Sequence, residues 1–226
     1  MSPVIGQQLS MDPYAAGNRR SGALLLWHGP SGQEETVQPK HNWQDETIVA
    51  DAHLSLHSVN ERFLEPLFTL IQRNKTWLQQ SMDWPQYVNK PEDTLKTLRA
   101  NYLLHHRGFS KMFMLVLDGE LVGVFSFNQM EAASRAAYIG YWIDKAAQGK
   151  GVVSRALEAI IAKYVQEGTV RRFVIRCIVT NEASNRVALR NGFTLEGRLR
   201  QAEYLNGEFH DQNIYARIVE SAQTMP

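Results

Sequence analysis

The sequence has a single cysteine, Cys177, among 226 residues, which excludes an internal disulfide and a zinc site built on several cysteines. It also lacks long hydrophobic runs: the apolar stretch 112–117 is far shorter than the roughly 20 residues a membrane-spanning helix needs. No secretory signal pattern is recognisable. We therefore expect a protein of the reducing cytoplasm that makes no contact with a membrane.

An excess of charge of one sign is absent as well. The chain has 24 basic and 23 acidic residues, a net charge of +1, whereas a protein that coats nucleic acid is usually far more basic. No direct nucleic-acid partner is therefore expected. The average conceals residues 171–200, where seven arginines and two glutamates give +5 and leave −4 for the rest of the chain. This segment is either a solvated surface or a site for an anionic ligand.

Several common catalytic motifs are missing. There is no Gly-x-x-x-x-Gly-Lys-Ser/Thr loop, no Gly-x-Gly-x-x-Gly fingerprint and no Gly-x-Ser-x-Gly elbow. His53 and His57 are four residues apart, but no glutamate lies between them and no third ligand is evident, so we expect no metal. A P-loop nucleotidase, a dinucleotide oxidoreductase and a serine hydrolase are disfavoured.

The chain divides into three parts by patterning. Residues 1–47 contain glycine-rich turns around one apolar run, 23–27, and are expected to be a partly ordered extension with one strand at most. Residues 48–219 carry sustained helix and strand periodicity and are expected to form one domain. Residues 220–226 are assigned to a tail.

The periodicity within 48–219 predicts an α+β fold. We expect helices from Phe63, from Pro91 to the stop at Gly108, from Val153 to Gly168, and from Ser184 to Asn191. We expect strands at 112–117 and 121–127 around Asp118-Gly119, then at 137–143 and 173–179, and a closing hairpin of 203–205 and 214–216 around Asn206-Gly207. This order predicts a mixed, mostly antiparallel twisted sheet flanked by helices, with one central βαβ unit.

The junction inside that βαβ unit is the segment with most chemical content. A strand ending near Trp142 and Ile143 runs into the loop Gln148-Gly149-Lys150-Gly151, which opens a helix at Val152-Val153-Ser154. A helix start exposes unpaired backbone N–H groups and a positive dipole end, which suit a pyrophosphate. A plain tight turn explains the two glycines equally well, so this signal is weak by itself.

Taken further, the loop resembles the Gln-x-x-Gly acetyl-coenzyme A loop of the GNAT N-acetyltransferases. The stretches 77–87, 171–175 and 201–207, together with His210-Asp211, resemble the RimL-type group that acetylates a serine of ribosomal proteins. The likeness covers residues 48–219. It departs from the general loop pattern at Val153, where many acetyltransferases carry glycine or alanine, and it does not account for residues 1–47.

The resemblance implies roles for two residues. Glu203 matches the base that takes a proton from the attacking amine, whereas its spacing alone would suit an ordinary strand glutamate facing solvent. Ser184 matches the acid that protonates the leaving sulfur, although a serine there is also a favoured helix N-cap. Cys177 lies on the strand leading to this site, and we predict no catalytic requirement for it.

The resemblance also implies an acetyl-CoA site. The end of one strand should pair its backbone with the pantetheine arm, the loop should hold the pyrophosphate, and three asparagines are candidates for side-chain bonds. The expected cofactor-binding residues are Trp142, Ile143, Gln148, Gly149, Lys150, Gly151, Val152, Val153, Ser154, Asn181, Asn185 and Asn191.

The function implied is transfer of acetyl from acetyl-CoA to an α-amino group, in particular the N-terminal serine of an acidic ribosomal stalk protein. Two alternatives stay open: acetylation of a small amine such as an aminoacyl-nucleotide antibiotic, and a non-catalytic acyl-CoA sensor. A homodimer is also expected. Acceptor choice is assigned to 63–108, where Trp77, Trp84 and Tyr87 form either an acceptor wall or part of the core.

Overall fold

The computed structural model describes residues 45–220, so the extension and the tail expected at either end lie almost entirely outside the described residues. Residues 45–220 form eight strands and four α-helices. In chain order they are β1 (Thr47–Val49), β2 (Leu54–Ser58), α1 (Leu64–Leu78), α2 (Pro91–His106), β3 (Lys111–Leu117), β4 (Glu120–Glu131), β5 (Ala136–Ile143), α3 (Val152–Gln166), β6 (Arg172–Ile178), α4 (Glu182–Arg190), β7 (Thr194–Leu205) and β8 (Glu208–Ile218).

The strands form one sheet in the order β1-β2-β3-β4-β5-β6-β8-β7. Every neighbouring pair in this described sheet is antiparallel except β5 and β6, which run parallel and are connected through α3. Parallel neighbours need such a crossover, and a helix is its usual form. The expected mixed sheet with a central βαβ unit is confirmed.

Both faces of the sheet are buried, each under its own helices. Because side chains alternate along a strand, Phe113 and Phe125 face the cluster that contains α3, whereas Met112, Met114 and Val124 face the cluster formed with α1 and α2. The central strands β3 and β5 are therefore apolar at nearly every position, as expected for strands covered on both faces. Within residues 45–220 no helix is long and apolar enough to cross a bilayer.

The expected helices are present and begin near the residues that predicted them. Pro91 is the first residue of α2, where its missing N–H leaves no hydrogen bond unmade. Pro66 falls in the first turn of α1, the one helical region that tolerates it without a kink. The two expected turns also form: Asp118 and Asn206 both have positive φ, followed by glycines in the same region, as a tight hairpin turn requires.

Two parts of the sheet differ from the expectation. Strands β1 and β2 were not predicted, because three and five residues are too few to establish an alternating pattern. The closing hairpin is much longer than expected, with 12 residues in β7 and 11 in β8. Its outer strand β7 is mostly exposed and carries irregularities in register, so its sequence lacks the alternation that marks a half-buried strand.

Leu157, fully buried in α3, provides a test of the packing of this helix on the sheet. We expect Leu157→Ala to lower the free energy of unfolding by about 2–5 kcal/mol, since it removes buried methyl groups and leaves a cavity. Urea denaturation measures this change. Leu189→Ala on exposed α4 is the matched control and should change stability by less than about 0.5 kcal/mol. Equal effects of the two substitutions would contradict the packing described.

Candidate active site

The parallel strands β5 and β6 separate halfway along their length. They pair from Ala136 with Arg172 as far as Ile139 with Ile175, yet β5 continues to Ile143 and β6 to Ile178 without further pairing between them. The separation leaves backbone polar groups along the facing edges without a ladder partner, and such groups require another one. An extended ligand with amide groups fits this gap.

Trp142 and Ile143 lie at the end of β5, as expected, but their side chains are buried in the protein. Any contact that they make with a ligand in the gap therefore comes from their backbone. Trp142 packs near Trp84, with ring centroids 6.0 Å apart, and its Nε1 is buried without a hydrogen-bond partner. Trp84 and Trp77 are likewise buried, which places them in the core and leaves only Tyr87 exposed.

The loop Gln148–Gly151 leads from this gap to α3. Gly149 and Gly151 have φ of 75° and 69°, in the left-handed region that favours glycine. Gly151 directly precedes α3, whose first N–H groups have no partner within the helix. Such donors at the positive helix end suit a phosphate anion, as predicted for this loop.

The side chains around this loop have separate tasks. Val152 and Val153 are buried in the core, so they anchor the helix and leave their N–H groups to face the loop. Lys150 is exposed, and its charge is available beside the helix start. The Nε2 of Gln148 is buried without a hydrogen-bond partner. An unsatisfied buried amide in a phosphate-binding loop fits a polar ligand there.

Helix α1 holds the segment that precedes the loop. Arg73 forms an ion pair with Asp144, and the Oδ1 of Asn74 accepts the N–H of Lys145 at 3.1 Å. Asn74 is itself buried and fixed, since its Nδ2 donates to the carbonyl of Leu70 at 2.9 Å. Sequence patterning did not predict these contacts, because an asparagine and an arginine within an amphipathic helix are usually solvated.

Ser184 lies in the first turn of α4 and is fully buried. The N-cap of this helix is Asn181, whose side chain accepts the N–H of Ser184 at 3.1 Å, so capping does not occupy the serine hydroxyl. The side chain of Ser184 lies next to the phenol of Tyr141 of β5, whose hydroxyl is buried without a hydrogen-bond partner among residues 45–220. Burial raises the pKa of Tyr141, which therefore remains a neutral phenol.

The other two asparagines connect α4 to its neighbours. Asn185 accepts from the hydroxyl of Tyr215 at 2.6 Å and donates to the carbonyl of Asn181 at 2.7 Å. The Nδ2 of Asn191 donates to the Oγ of Ser154 at 3.0 Å. Both amides thus have partners within the protein, and their binding of a ligand stays a prediction.

Glu203 occupies a half-buried position on β7. It lies opposite His210 of β8, and its Oε2 accepts a hydrogen bond of 2.7 Å from the Nε2 of Gln212. Burial raises the pKa of Glu203 to about 7, and the negative charge of Asp83 adds to this shift, whereas His210 opposes it. A carboxyl group with that pKa exchanges a proton readily near neutral pH.

His210, which lies opposite Glu203 on the hairpin, lines a cavity of about 380 Å³; Glu203 itself is not one of the lining residues. One wall comes from the end of α1 and the other from the β7–β8 turn, and the Nδ2 of Asn206 joins the two by donating to the carbonyl of Gln79 at 3.2 Å. The cavity is lined by Gln80, Ser81, Ile178, Thr180, Asn181, Leu205, Asn206, Glu208 and His210. Most of these residues are polar, and sequence patterning did not identify Gln80, Ser81 or His210 as lining residues.

Three arginines of segment 171–200 form ion pairs, and Cys177 is buried. Arg172, Arg186 and Arg198 each form an ion pair with a neighbouring carboxylate, which favours a solvated surface for these three. Cys177 is buried, and burial raises the pKa of its thiol to about 12, so it remains protonated at neutral pH.

A gap that suits an amide-containing arm, close to a carboxyl group that titrates near neutral pH, suits the transfer of an acyl group. Residues 53–194 match the acetyltransferase (GNAT) domain, and the chain belongs to this family. The expected fold and the expected acetyltransferase class are thereby confirmed.

Two curated relatives are informative. The chain is 54% identical to the ribosomal-protein-serine acetyltransferase of Escherichia coli (strain K12) over 176 residues, which are 78% of this chain and 98% of the relative. It is 28% identical over 171 residues to the putative ribosomal N-acetyltransferase YdaF of Bacillus subtilis (strain 168), covering 75% and 93% of the two chains.

Solved structures agree with these relatives. A RimL ribosomal L7/L12 α-N-protein acetyltransferase in complex with coenzyme A has a TM-score of 0.76 and 50% identity, covering 78% of this chain and 99% of that chain. The microcin C7 self-immunity acetyltransferase MccE, in complex with acetyl-CoA and AMP, has a TM-score of 0.74 and 38% identity, covering 75% and 94%.

The raised pKa of Glu203 makes a prediction about stability. Folding raises this pKa from an ordinary 4.5 to about 7, so ionisation opposes folding, and the penalty grows as pH rises through that interval. We expect Glu203→Gln to unfold at a higher temperature than the wild type at a pH of about 8, with the difference shrinking towards a pH of about 4. Thermal melts across this range test it, with Glu120→Gln at the exposed β3–β4 turn as the control. A difference independent of pH would contradict the burial of this charge.

Proposed function

We propose that this chain transfers the acetyl group of acetyl-CoA to the α-amino group of an N-terminal serine on a ribosomal stalk protein. The observation that carries the proposal is the half-buried carboxyl of Glu203, whose pKa lies near 7, opposite His210, which lines a polar cavity. The 54% identity to a ribosomal-protein-serine acetyltransferase supports the choice of acceptor.

The residues of the βαβ unit fit acetyl-CoA as the cosubstrate, which supplies an activated acetyl thioester. The open backbone edge of β5 near Trp142 and Ile143 suits the amide-containing pantetheine arm. The free N–H groups at the start of α3, with the buried Nε2 of Gln148, suit the pyrophosphate. Lys150 adds positive charge at the rim of this loop.

Glu203 serves as the general base. An α-amine with a pKa near 8 is mostly protonated at neutral pH and must lose a proton to attack a thioester. A carboxylate with a pKa of about 7 accepts that proton far better than an ordinary solvated glutamate, because its proton affinity is close to that of the amine. Burial is the main cause of this raised pKa; His210 lowers the pKa and Asp83 raises it further.

Ser184 serves as the general acid. Its hydroxyl lies in the first turn of α4 and is shielded from water. As the C–S bond breaks, the hydroxyl passes a proton to the departing sulfur, and the proton that Glu203 takes from the amine restores the hydroxyl, so that neither a thiolate nor an alkoxide remains. The buried, neutral phenol of Tyr141 lies next to this hydroxyl.

A second acceptor class has a specific observation in its favour. The similarity to MccE, whose structure contains AMP beside acetyl-CoA, raises acetylation of a small aminoacyl nucleotide as the alternative. Mass spectrometry of acetylated products from a panel of Ser-starting peptides and aminoacyl-nucleotide amines distinguishes the two. A peptide product at far higher kcat/KM supports the stalk-protein acceptor.

Cytoplasmic location and a homodimer stay predictions, and light scattering tests the homodimer.

Loss of the base gives a direct test. Glu203→Gln keeps the size and the hydrogen bond to Gln212 but removes the proton acceptor, so kcat for a Ser-starting peptide should fall at least about 100-fold. Binding of CoA, measured by calorimetry, should be unchanged. Glu120→Gln, which removes an exposed carboxylate remote from the cavity, should keep wild-type turnover. Near-normal turnover of Glu203→Gln would refute the base.

Loss of the acid gives a second test with a neighbouring control. Ser184→Ala should lower kcat by about 10- to 100-fold, because the leaving sulfur loses its proton donor. Cys177→Ala changes another buried residue close to the same strand gap and should leave kcat within about twofold of wild type. Stopped assays with a thiol reagent that detects released CoA measure both. The opposite ranking would assign the chemistry to the cysteine.

A further inference from the structure

Strand β7 contains a bulge immediately before Glu203. The pairing of Leu199 with Gln212 is followed by that of Glu203 with His210, so three residues of β7 lie opposite one residue of β8. Those three residues are 200–202, and Gln201 among them has φ of 50°, in the left-handed region. A bulge of this kind changes where the following side chains point, and it persists only when its surroundings stabilise it.

Asp211, the residue opposite the bulge, supplies that stabilisation. Its Oδ1 accepts the backbone N–H of Gln201 at 2.8 Å, and its Oδ2 accepts the Nε of Arg198 at 2.8 Å. One carboxylate therefore binds the inside of the bulge and the strand before it. The N–H of Gln201 is the largest influence holding the pKa of Asp211 below its ordinary value, so Asp211 stays ionised at neutral pH.

The bulge determines the position of Glu203 along the sheet. With regular pairing continued from Leu199, Glu203 would lie opposite Glu208, two residues nearer the turn and about 7 Å away. It would then face another carboxylate instead of His210. The two extra residues keep Glu203 on the same face of the sheet and place it opposite His210, where Gln212 reaches its carboxylate.

Gln212 fixes the carboxyl group itself. This glutamine is buried on the inner strand β8, where it pairs with Ile178 on one side and Leu199 on the other. Its Nε2 donates to the Oε2 of Glu203 at 2.7 Å. A buried amide held between two strands has little freedom, so it defines the direction in which the carboxylate points.

We infer that Asp211 and Gln212 are positioning residues for acetyl transfer: Asp211 stabilises the β7 bulge that places Glu203 opposite His210, and Gln212 orients the carboxylate of Glu203. This inference rests on the proposed role of Glu203 as the base. Neither residue touches the reacting groups.

Gln212 is tested through the pH profile of turnover. Gln212→Met keeps the length of the side chain and removes the donor, so kcat for a Ser-starting peptide should fall about 10-fold. The acid limb of the kcat profile should move to higher pH, since an N–H donor stabilises the ionised carboxylate. His210 of β8 and Asp83 of the α1–α2 connection also face this carboxylate, and both are unchanged in the variant.

A double variant separates positioning from other effects. If Gln212 acts through Glu203, Gln212→Met introduced into Glu203→Gln should cause no further loss of kcat. A further 10-fold loss in that background would overturn the role of Gln212. Unchanged kcat and pH profile in the single variant would do the same.

Asp211 is tested with a pair of substitutions. Asp211→Ala removes the acceptor for the Gln201 N–H and should lower kcat about 10- to 100-fold, with KM for acetyl-CoA unchanged. Asp211→Asn retains an Oδ1 acceptor and should recover most of the activity. The matched control is Glu196→Gln, which breaks another carboxylate–arginine ion pair of this region, between Glu196 of β7 and Arg172 of β6. It should keep wild-type kcat.

The outcomes distinguish the inference from the function on which it rests. An active Glu203→Gln enzyme refutes the base itself. An inactive Glu203→Gln beside fully active Asp211→Ala and Gln212→Met refutes only the positioning roles. Equal loss in Asp211→Ala and Asp211→Asn also refutes the role of Asp211. Thermal melts show whether each variant folds. If Gln212→Met does not fold, the comparison of Asp211→Ala with Asp211→Asn still tests the role of the bulge.

Discussion

The divergence of β5 and β6 is the constraint on which the rest of the site depends. Two parallel strands that pair for only four residues leave backbone donors and acceptors unmatched in the middle of an otherwise continuous sheet. The fold tolerates this because helices bury both faces around the gap and because β6 remains fully paired with β8 on its other side. The unpaired backbone groups of β5 and β6 suit hydrogen bonds with a ligand that has amide groups.

Catalytic chemistry and stability oppose one another at Glu203. Burial brings the pKa of its carboxyl group close to that of an amine, as its proposed role as a base requires, and the same burial makes the ionised form unfavourable in the folded protein. The large apolar clusters on both faces of the sheet supply the stability that such a group consumes. The β7–β8 hairpin can therefore be exposed and irregular without loss of the fold.

The sequence predicted those features that depend on local chemistry. The apolar stripe of α3, the glycines before it and the Asn206-Gly207 turn each carry their own physical signal, so their positions were predicted correctly. The contacts of Asn74 with Lys145 and of Asp211 with the bulge were not predictable. Both join residues whose proximity depends on the register or packing of elements distant in the chain, and neither residue type has a preference that reveals it.

Helix α1 contacts two separate parts of the protein. Arg73 and Asn74 hold the segment before the phosphate-binding loop, and Gln79, just past the end of the same helix, holds the hairpin across the cavity. The same helix therefore contacts both regions to which the proposed function assigns a substrate. Under that proposal, a displacement of α1 by one substrate moves a wall of the region that binds the other, and the change in affinity is equal in both directions.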